Sequence, residues 1–347
     1  MSPEAEPIGM ALLGAAHTTH AWSYARALSS IPSVRLVGVH DEDPANAQWI
    51  QRDFAVPFFQ DARELVSRAE VAAVVVCSAT AAHRASVELA ASLGRHVLCE
   101  KPLATTVEDA TAIVAGCAEA GVQLHLAYVS RFLPIVRRTR EAVRAGRLGE
   151  LVGLVGGNRG RPPLPPAYPG WITDPAHAGG GALIDHSVHV SDAMRHISGL
   201  EVTAVSAEAD SLLWDCGVDD VAIVSLRFDN GAVGSIDPSW SVPDGSPWDY
   251  DFFLRLLGTE GSLDLTDAAE SLHLVSSGSG RPRGLRLASF AEDADRALVE
   301  AFVASVRAGR RLEPCATGED GVRSLQVALA GYESAATGRV VRIAANS

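Results

Sequence analysis

Met10-Ala11-Leu12-Leu13-Gly14-Ala15-Ala16-His17-Thr18-Thr19-His20 is an apolar strand run that ends on a glycine and leads into a helical pattern from His20 to Ile31. A strand, a tight turn and a helix N-terminus in that order form an anion site from backbone N–H groups and the helix dipole. In the Gly-x-Gly-x-x-Gly fingerprint of dinucleotide-binding units, glycines make the turn, admit the pyrophosphate and let helix and strand approach. Here Gly14 keeps the first place, while Ala16 and Thr19 fill the second and third. Taken alone, this loop reads equally well as an ordinary βα turn.

The segments that follow supply the context. Arg35 to Val39, Val71 to Cys77, His96 to Cys99 and Gln123 to Val129 are further Val- and Leu-rich strand patterns. Helical patterns alternate with them at Pro44 to Phe54, Asp61 to Ala69, His83 to Leu93 and Thr106 to Ala120, the last opening on the capping-box spacing Thr105-Thr106-Val107-Glu108. This alternation predicts right-handed βαβ crossovers and a doubly wound parallel sheet, with ligands at the carboxyl ends of its strands. Asp41 closes the second strand pattern, 22 residues after Thr19, where a carboxylate accepts ribose hydroxyls and repels a 2′-phosphate. That placement favours NAD over NADP. Asp-Glu-Asp-Pro is also good helix-start chemistry, and both readings hold together.

Beyond about residue 130 the rhythm changes. A helix over Pro134 to Ala145 leads to a strand near Glu150 to Gly156, a proline-dense loop at Arg161 to Pro166, and a helix over Leu183 to Ile197 behind Gly179-Gly180-Gly181. Strand patterns at Glu201 to Asp210, Val221 to Phe228, Ala232 to Trp240, Asp251 to Gly258 and Ser262 to Leu265 then follow with hairpin-like spacing. Helices Ala291 to Ala308 and Glu319 to Ala336 close the chain. The expected architecture is a Rossmann domain over 1–128 and an α+β domain with a mostly antiparallel open sheet over 129–347. The uncovered face of that sheet predicts a homo-oligomer, a homodimer or homotetramer.

Composition narrows the function. With 347 residues and 47% hydrophobic content the chain has material for two cores. Lys plus Arg number 29 against 42 Asp plus Glu, a net charge of −13 that argues against a nucleic-acid surface. A cationic substrate would be welcome in that field, although acidity also serves solubility. Five scattered cysteines without a Cys-x-x-Cys pair suit a reducing compartment. The acidic start Met-Ser-Pro-Glu-Ala-Glu-Pro is unlike a signal peptide, and no apolar run is long enough to span a bilayer. A cytoplasmic protein with no membrane partner is the expectation.

Two constellations carry chemistry. Cys99-Glu100-Lys101-Pro102 puts a lysine at the carboxyl edge of the parallel sheet, hence at the ligand crevice. Asp185 and His189, four apart, lie on one helix face behind glycines that admit a ligand, and a carboxylate neighbour favours a proton-exchanging histidine. His186 lies on another face. The bland reading of Asp185 and His189 is polar residues satisfied at a domain interface, and Lys101 weighs against it. His189, Asp192 and His196 spread over too many turns for a metal site, and none is expected.

Glu100-Lys101-Pro102 after a Val-Leu strand resembles the Gfo/Idh/MocA family, named for glucose–fructose oxidoreductase and inositol dehydrogenase. The resemblance extends over nearly the whole chain. Ser78-Ala79-Thr80-Ala81-Ala82-His83 looks like one of its loops, Tyr128 to Pro134 like its interdomain crossover, and Gly179 to His189 like its substrate-site helix. Gly258 to Leu263 and Gly318 to Gly321 match later signatures. The resemblance implies NAD, with Gly14, Ala16, Thr19, Asp41, Ser78, Thr80, His83, Glu100, Lys101 and Trp171 at the cofactor. It implies that Lys101 hydrogen-bonds the reacting hydroxyl, His189 acts as general base or in the relay, and Asp185 orients substrate. Tyr128, Arg131 and His186 are then expected at the substrate. Where related sequences often carry an Arg after this Trp, Ile172 stands here, which weakens the case for a phosphate contact at that position.

The implied activity is an NAD-dependent dehydrogenase acting on a secondary alcohol or ketone of a sugar, cyclitol or sugar-containing metabolite. Two alternatives remain open at this point: glycoside cleavage through a transient keto sugar with NAD recycled in place, and a non-catalytic nucleotide-sensing regulator on the same fold. The loops at Arg159 to Gly170 and Ser241 to Tyr250 hold the residues that decide the substrate.

Overall fold

The computed structural model describes residues 6–166, 168–246, 249–266, 271–276, 284–289 and 293–344. The first five residues, Ala167 and Pro247–Trp248 in the two expected substrate loops, and Ala291–Glu292 at an expected helix start lie outside the described residues. In chain order the elements begin with β1 (Ile8–Leu13), α1 (Thr18–Ser30), β2 (Val34–His40), α2 (Pro44–Phe54), α3 (Ala62–Val66), β3 (Val71–Val76), α4 (His83–Ser92) and β4 (His96–Cys99). Next come α5 (Val107–Glu119), β5 (Leu124–Leu126), α6 (Pro134–Arg144), β6 (Leu151–Gly160), α7 (Pro175–Ala178), α8 (Ala182–Ser198), β7 (Val202–Asp210), β8 (Val221–Phe228) and β9 (Val233–Asp237). The last are β10 (Tyr250–Gly258), β11 (Ser262–Thr266), β12 (Ser271–Ser276), β13 (Gly284–Ser289), α9 (Ala294–Arg307), β14 (Ala316–Thr317), α10 (Gly318–Thr337) and β15 (Val341–Arg342). The chain divides into two compact units, one comprising the residues up to Phe132 with Pro163–Gly179 and Ala294–Leu325, the other the remainder.

The first unit is a Rossmann fold. Its sheet runs β14-β5-β4-β3-β1-β2, and the five longer strands pair in parallel. The runs Met10 to Leu13 and Ala73 to Val76 are almost wholly buried, as a sheet covered by helices on both faces requires. Each fully buried aliphatic side chain contributes about 1.5–3 kcal/mol. Strand order reverses between β1 and β3, so their carboxyl ends bound the crevice in which such sheets bind ligands. The two-residue β14 adds an antiparallel edge that periodicity does not show.

Local chemistry fixes the helix starts. Asp43 caps α2 by accepting from the N–H of Ala45 at 2.9 Å, with Pro44 in the first turn, as the sequence leads one to expect. The cap of α5 sits one residue later than expected. Thr106 accepts from Asp109 N–H at 3.1 Å, because Thr106 has the extended backbone a cap needs. Two expected elements are shorter: α3 stops at Val66, and the expected strand over Gln123 to Val129 is only Leu124–Leu126 before a 3₁₀ turn at Val129–Phe132.

The second unit has a seven-stranded sheet, β11-β10-β6-β9-β8-β7-β15, antiparallel throughout except for β6 beside β9. Side chains alternate strictly on β8, buried at Ala222, Val224, Leu226 and Phe228 and exposed between them. Helix α8 packs on the buried face, close enough that a Cβ on Gly156 would stand 3.0 Å from Val190 Cγ1. The opposite face presents Val155, Ile223, Val233 and Leu257, each between 39% and 51% exposed. It also carries the Arg255–Asp264 ion pair and the Arg159–Asp251 pair. A further antiparallel pair, β12 with β13, is absent from the sequence reading. Among the described residues no helix is long and apolar enough to cross a membrane.

Candidate active site

The first unit brings Gly14, Ser78, Glu100 and Lys101 to the carboxyl ends of β1, β3 and β4. Gly14 has φ +89°, and a Cβ there would overlap the backbone N and Cα of Ser78. Only glycine satisfies both conditions, so this first fingerprint glycine is a steric necessity of the crevice. Ser78 Oγ is buried and has no hydrogen-bond partner among the described residues, an orphan that a polar ligand group would satisfy. Thr80 is buried beside it.

Asp41 braces the loop from the end of β2. Its Oδ2 accepts from Ala15 N–H at 2.6 Å, and its Oδ1 from Asp43 N–H and Asn46 Nδ2, both at 2.9 Å. A carboxylate has about four acceptor positions, so one remains for a ribose hydroxyl. The indole of Trp171 donates to Ala16 O at 2.9 Å and meets His17 edge-on, so within this unit it lies on the loop itself. At the start of α1, His17 Nδ1 accepts from His20 N–H at 3.4 Å, and the two rings stack with centroids 3.9 Å apart.

Glu100 is the hub of this region and is 3% exposed. Its Oε1 accepts from Tyr24 Oη and lies 2.9 Å from His20 Nδ1, while Oε2 accepts from Lys101 N–H at 2.9 Å. An uncompensated buried carboxylate would cost several kcal/mol; here two hydrogen-bond donors and the ion-pair contact of His20 offset that cost. Burial alone would push the Glu100 carboxyl up, but the opposed charge and hydrogen bond of His20, with Lys101 and His17 adding to them, hold it well below the usual range. His20 and Tyr24, four apart on α1, are partners of Glu100 that the sequence reading passes over, although their helical spacing places them on one face.

Other expected residues make contacts within the protein. His83 is buried between Pro102 O, 3.0 Å from Nδ1, and Ser78 O, 3.2 Å from Nε2, joining two crevice loops. Burial pulls its pKa below the ordinary value. Arg131, expected at the substrate, is 3% exposed and pairs with Asp320 at 3.0 Å, because a buried guanidinium requires a counter-charge. Tyr128 is fully buried, and Lys101 is 8% exposed.

In the second unit Asp185, His186 and His189 lie on α8. The helix starts where Gly180, at φ +156°, and Gly181 pass so close to Tyr332 and Asp219 that neither has room for a Cβ. Asp219 accepts from the N–H groups of Gly181 and Leu183 at 3.0 and 2.7 Å, and Tyr332 Oη donates to it at 2.7 Å. This external carboxylate caps a helix whose own cap residue has no side chain. Asp185 Oδ2 accepts from Trp240 Nε1 at 3.2 Å and lies 3.3 Å from His186 Nε2. His186 Nδ1 donates to Pro238 O at 3.1 Å, and its ring meets Tyr250 edge-on. Sequence spacing pairs Asp185 with His189; the structure adds His186 and Trp240 as the groups that fix it. His189 is 8% exposed.

Residues 8–128 match the description "Oxidoreductase family, NAD-binding Rossmann fold", and residues 136–264 match "GFO/IDH/MocA C-terminal domain". The chain is 32% identical to 1,5-anhydro-D-fructose reductase of Ensifer adhaerens over 81% of its own length and 82% of that protein's. The chain belongs to the Gfo/Idh/MocA oxidoreductase family. This Gfo/Idh/MocA chain is also 29% identical to myo-inositol 2-dehydrogenase of Thermotoga maritima, covering 97% and 98% of the two sequences. Among solved structures it resembles GenD2 from gentamicin A biosynthesis in complex with NAD, with a TM-score of 0.89, 26% identity and coverage of 99% and 98%. As a Gfo/Idh/MocA enzyme it is an oxidoreductase with an NAD-binding Rossmann domain, and the orphan Ser78 Oγ and the cradle at Gly14 fit that cofactor.

Gly14→Ala combines a left-handed backbone with an overlap at Ser78. It should cost at least about 2 kcal/mol and abolish NADH binding, measured by chemical denaturation and by titration of NADH fluorescence; a variant as stable and as tight as wild type would contradict the steric account.

Proposed function

We propose that this protein is an NAD-dependent dehydrogenase that interconverts a secondary alcohol and a ketone on a sugar, cyclitol or sugar-containing metabolite. The observation that carries the reading is Lys101 at the carboxyl end of β4 in an NAD-binding sheet. The names of its relatives, a myo-inositol dehydrogenase and an anhydrofructose reductase, support the substrate class. NAD supplies the hydride chemistry. Gly14, Ala16, Thr19, Asp41, Ser78, Thr80 and Trp171 hold it, while His83 and Glu100 keep the surrounding loops in place.

Each reacting group has its own part. Lys101 donates a hydrogen bond to the oxygen that changes between hydroxyl and carbonyl. His189 takes the hydroxyl proton or returns it, a step worth roughly 10² to 10⁴ in rate. Asp185 orients the substrate, and the indole of Trp240 and the ring of His186 hold it in place. Arg131 acts as an internal strut on Asp320. The exposed sheet face, with apolar Val155, Ile223, Val233 and Leu257 beside exposed ion pairs, supports a homodimer or homotetramer built on that face.

Three outcomes follow. Lys101→Ala should lose about 10²-fold or more in kcat with NADH affinity retained; normal turnover removes Lys101 from the mechanism. Catalytic efficiency should be higher with NAD than with NADP because of Asp41, and steady-state kinetics with both cofactors decides it. Light scattering on a sizing column should give a multiple of 36.4 kDa that falls to the monomer mass in Leu257→Arg; a wild-type monomer refutes the interface.

A further inference from the structure

The loop lacks two fingerprint glycines, and the N–H of Ala15 is spent on Asp41. Close backbone approach to a pyrophosphate is therefore reduced. In the first turn of α1, where such an anion binds, stands His20, whose side chain is 30% exposed. Its Nδ1 is buried and stands 2.9 Å from an oxygen of the Glu100 carboxylate, an ion-pair contact, while no contact among the described residues engages Nε2.

These contacts fix the tautomer. A carboxylate only accepts, so Nδ1 carries the hydrogen. A neutral His20 then presents a bare Nε2 lone pair, which repels a phosphate oxygen, whereas the imidazolium presents an N–H donor. We propose that His20, held by Glu100, is a pyrophosphate-binding residue that replaces the missing glycines with a charged donor and makes cofactor binding proton-linked. The proposal rests on NAD as the cofactor.

The surrounding charges agree with this role. Glu100 and Asp295, the latter on α9, favour the cation; Lys101 and burial oppose it; His17 stacks on the ring; Tyr24 shares Oε1 of Glu100. Burial is the largest single effect and lowers the pKa, yet the charge and hydrogen bond of Glu100 outweigh it, so the net displacement is upward from 6.5. The donor is thus present below and around neutral pH and is lost as pH rises through the raised value. By linkage, a bound pyrophosphate holds the proton more tightly still.

The test is the dissociation constant of NADH from the full-length protein, measured by fluorescence titration between about pH 6 and pH 9, for wild type, His20→Gln and His17→Gln. Gln keeps an N–H donor for Glu100 but cannot titrate, and a thermal melt reports whether the fold survives. Wild type should weaken about tenfold across that range. His20→Gln should match the weak, high-pH wild-type value at every pH, and His17→Gln should keep the wild-type slope. A His20→Gln protein that binds as tightly as wild type with the same slope overturns the proposal and leaves NAD as the cofactor. Loss of the slope in His17→Gln alone transfers the role to the neighbour and likewise overturns it. Failure of every protein to bind NADH at any pH overturns the cofactor reading and this inference with it.

Discussion

The first unit is organised around a place where a side chain is impossible. Gly14 leaves β1 with a left-handed backbone and passes against the backbone of Ser78 as it leaves β3, at the point where strand order reverses. This close passage sets the width of the crevice. Asp41 fixes the loop from one side by accepting from Ala15 N–H, and Trp171 fixes it by donating to Ala16 O. Because these bonds go to the backbone, the loop keeps its path although alanine and threonine replace two glycines. Departure from a sequence fingerprint and departure from its geometry are separable here.

Glu100 is the second organising group. A buried carboxylate must be met by donors, and those it has come from α1 and from the next residue of the chain. Meeting that demand ties the end of β4, and so the position of Lys101, to the helix whose N-terminus adjoins the dinucleotide loop. Electrostatic necessity thereby does positioning work.

The fold was legible where a periodic signal was long. Strands β1 to β4, α2, α8 and β8 stand within a residue or two of their expected bounds, since buried Val and Leu runs and Asp-Pro caps act locally. Two-residue β14 and β15 have no period, and they arise from pairing partners far along the chain. In the candidate site the strong motifs were readable. The supporting contacts were less so, because Asp219 with Tyr332 and Trp240 with Asp185 are brought together by tertiary structure. Arg131 shows what a motif leaves out: its sequence context says nothing of the burial and the Asp320 counter-charge that the fold gives it.

The clamp on α8 also bears on how the protein is made. Tyr332 Oη accepts from Gly181 N–H at 2.9 Å across 151 residues of sequence. Chains are synthesised from the N-terminus and fold as they emerge, so on the ribosome α8 appears long before the tyrosine that completes its start. Until then Asp219 alone can hold the first turn. The helix bearing Asp185 and His189 therefore reaches its final form late, and its N-terminal turn is completed only when most of the polypeptide has left the exit tunnel.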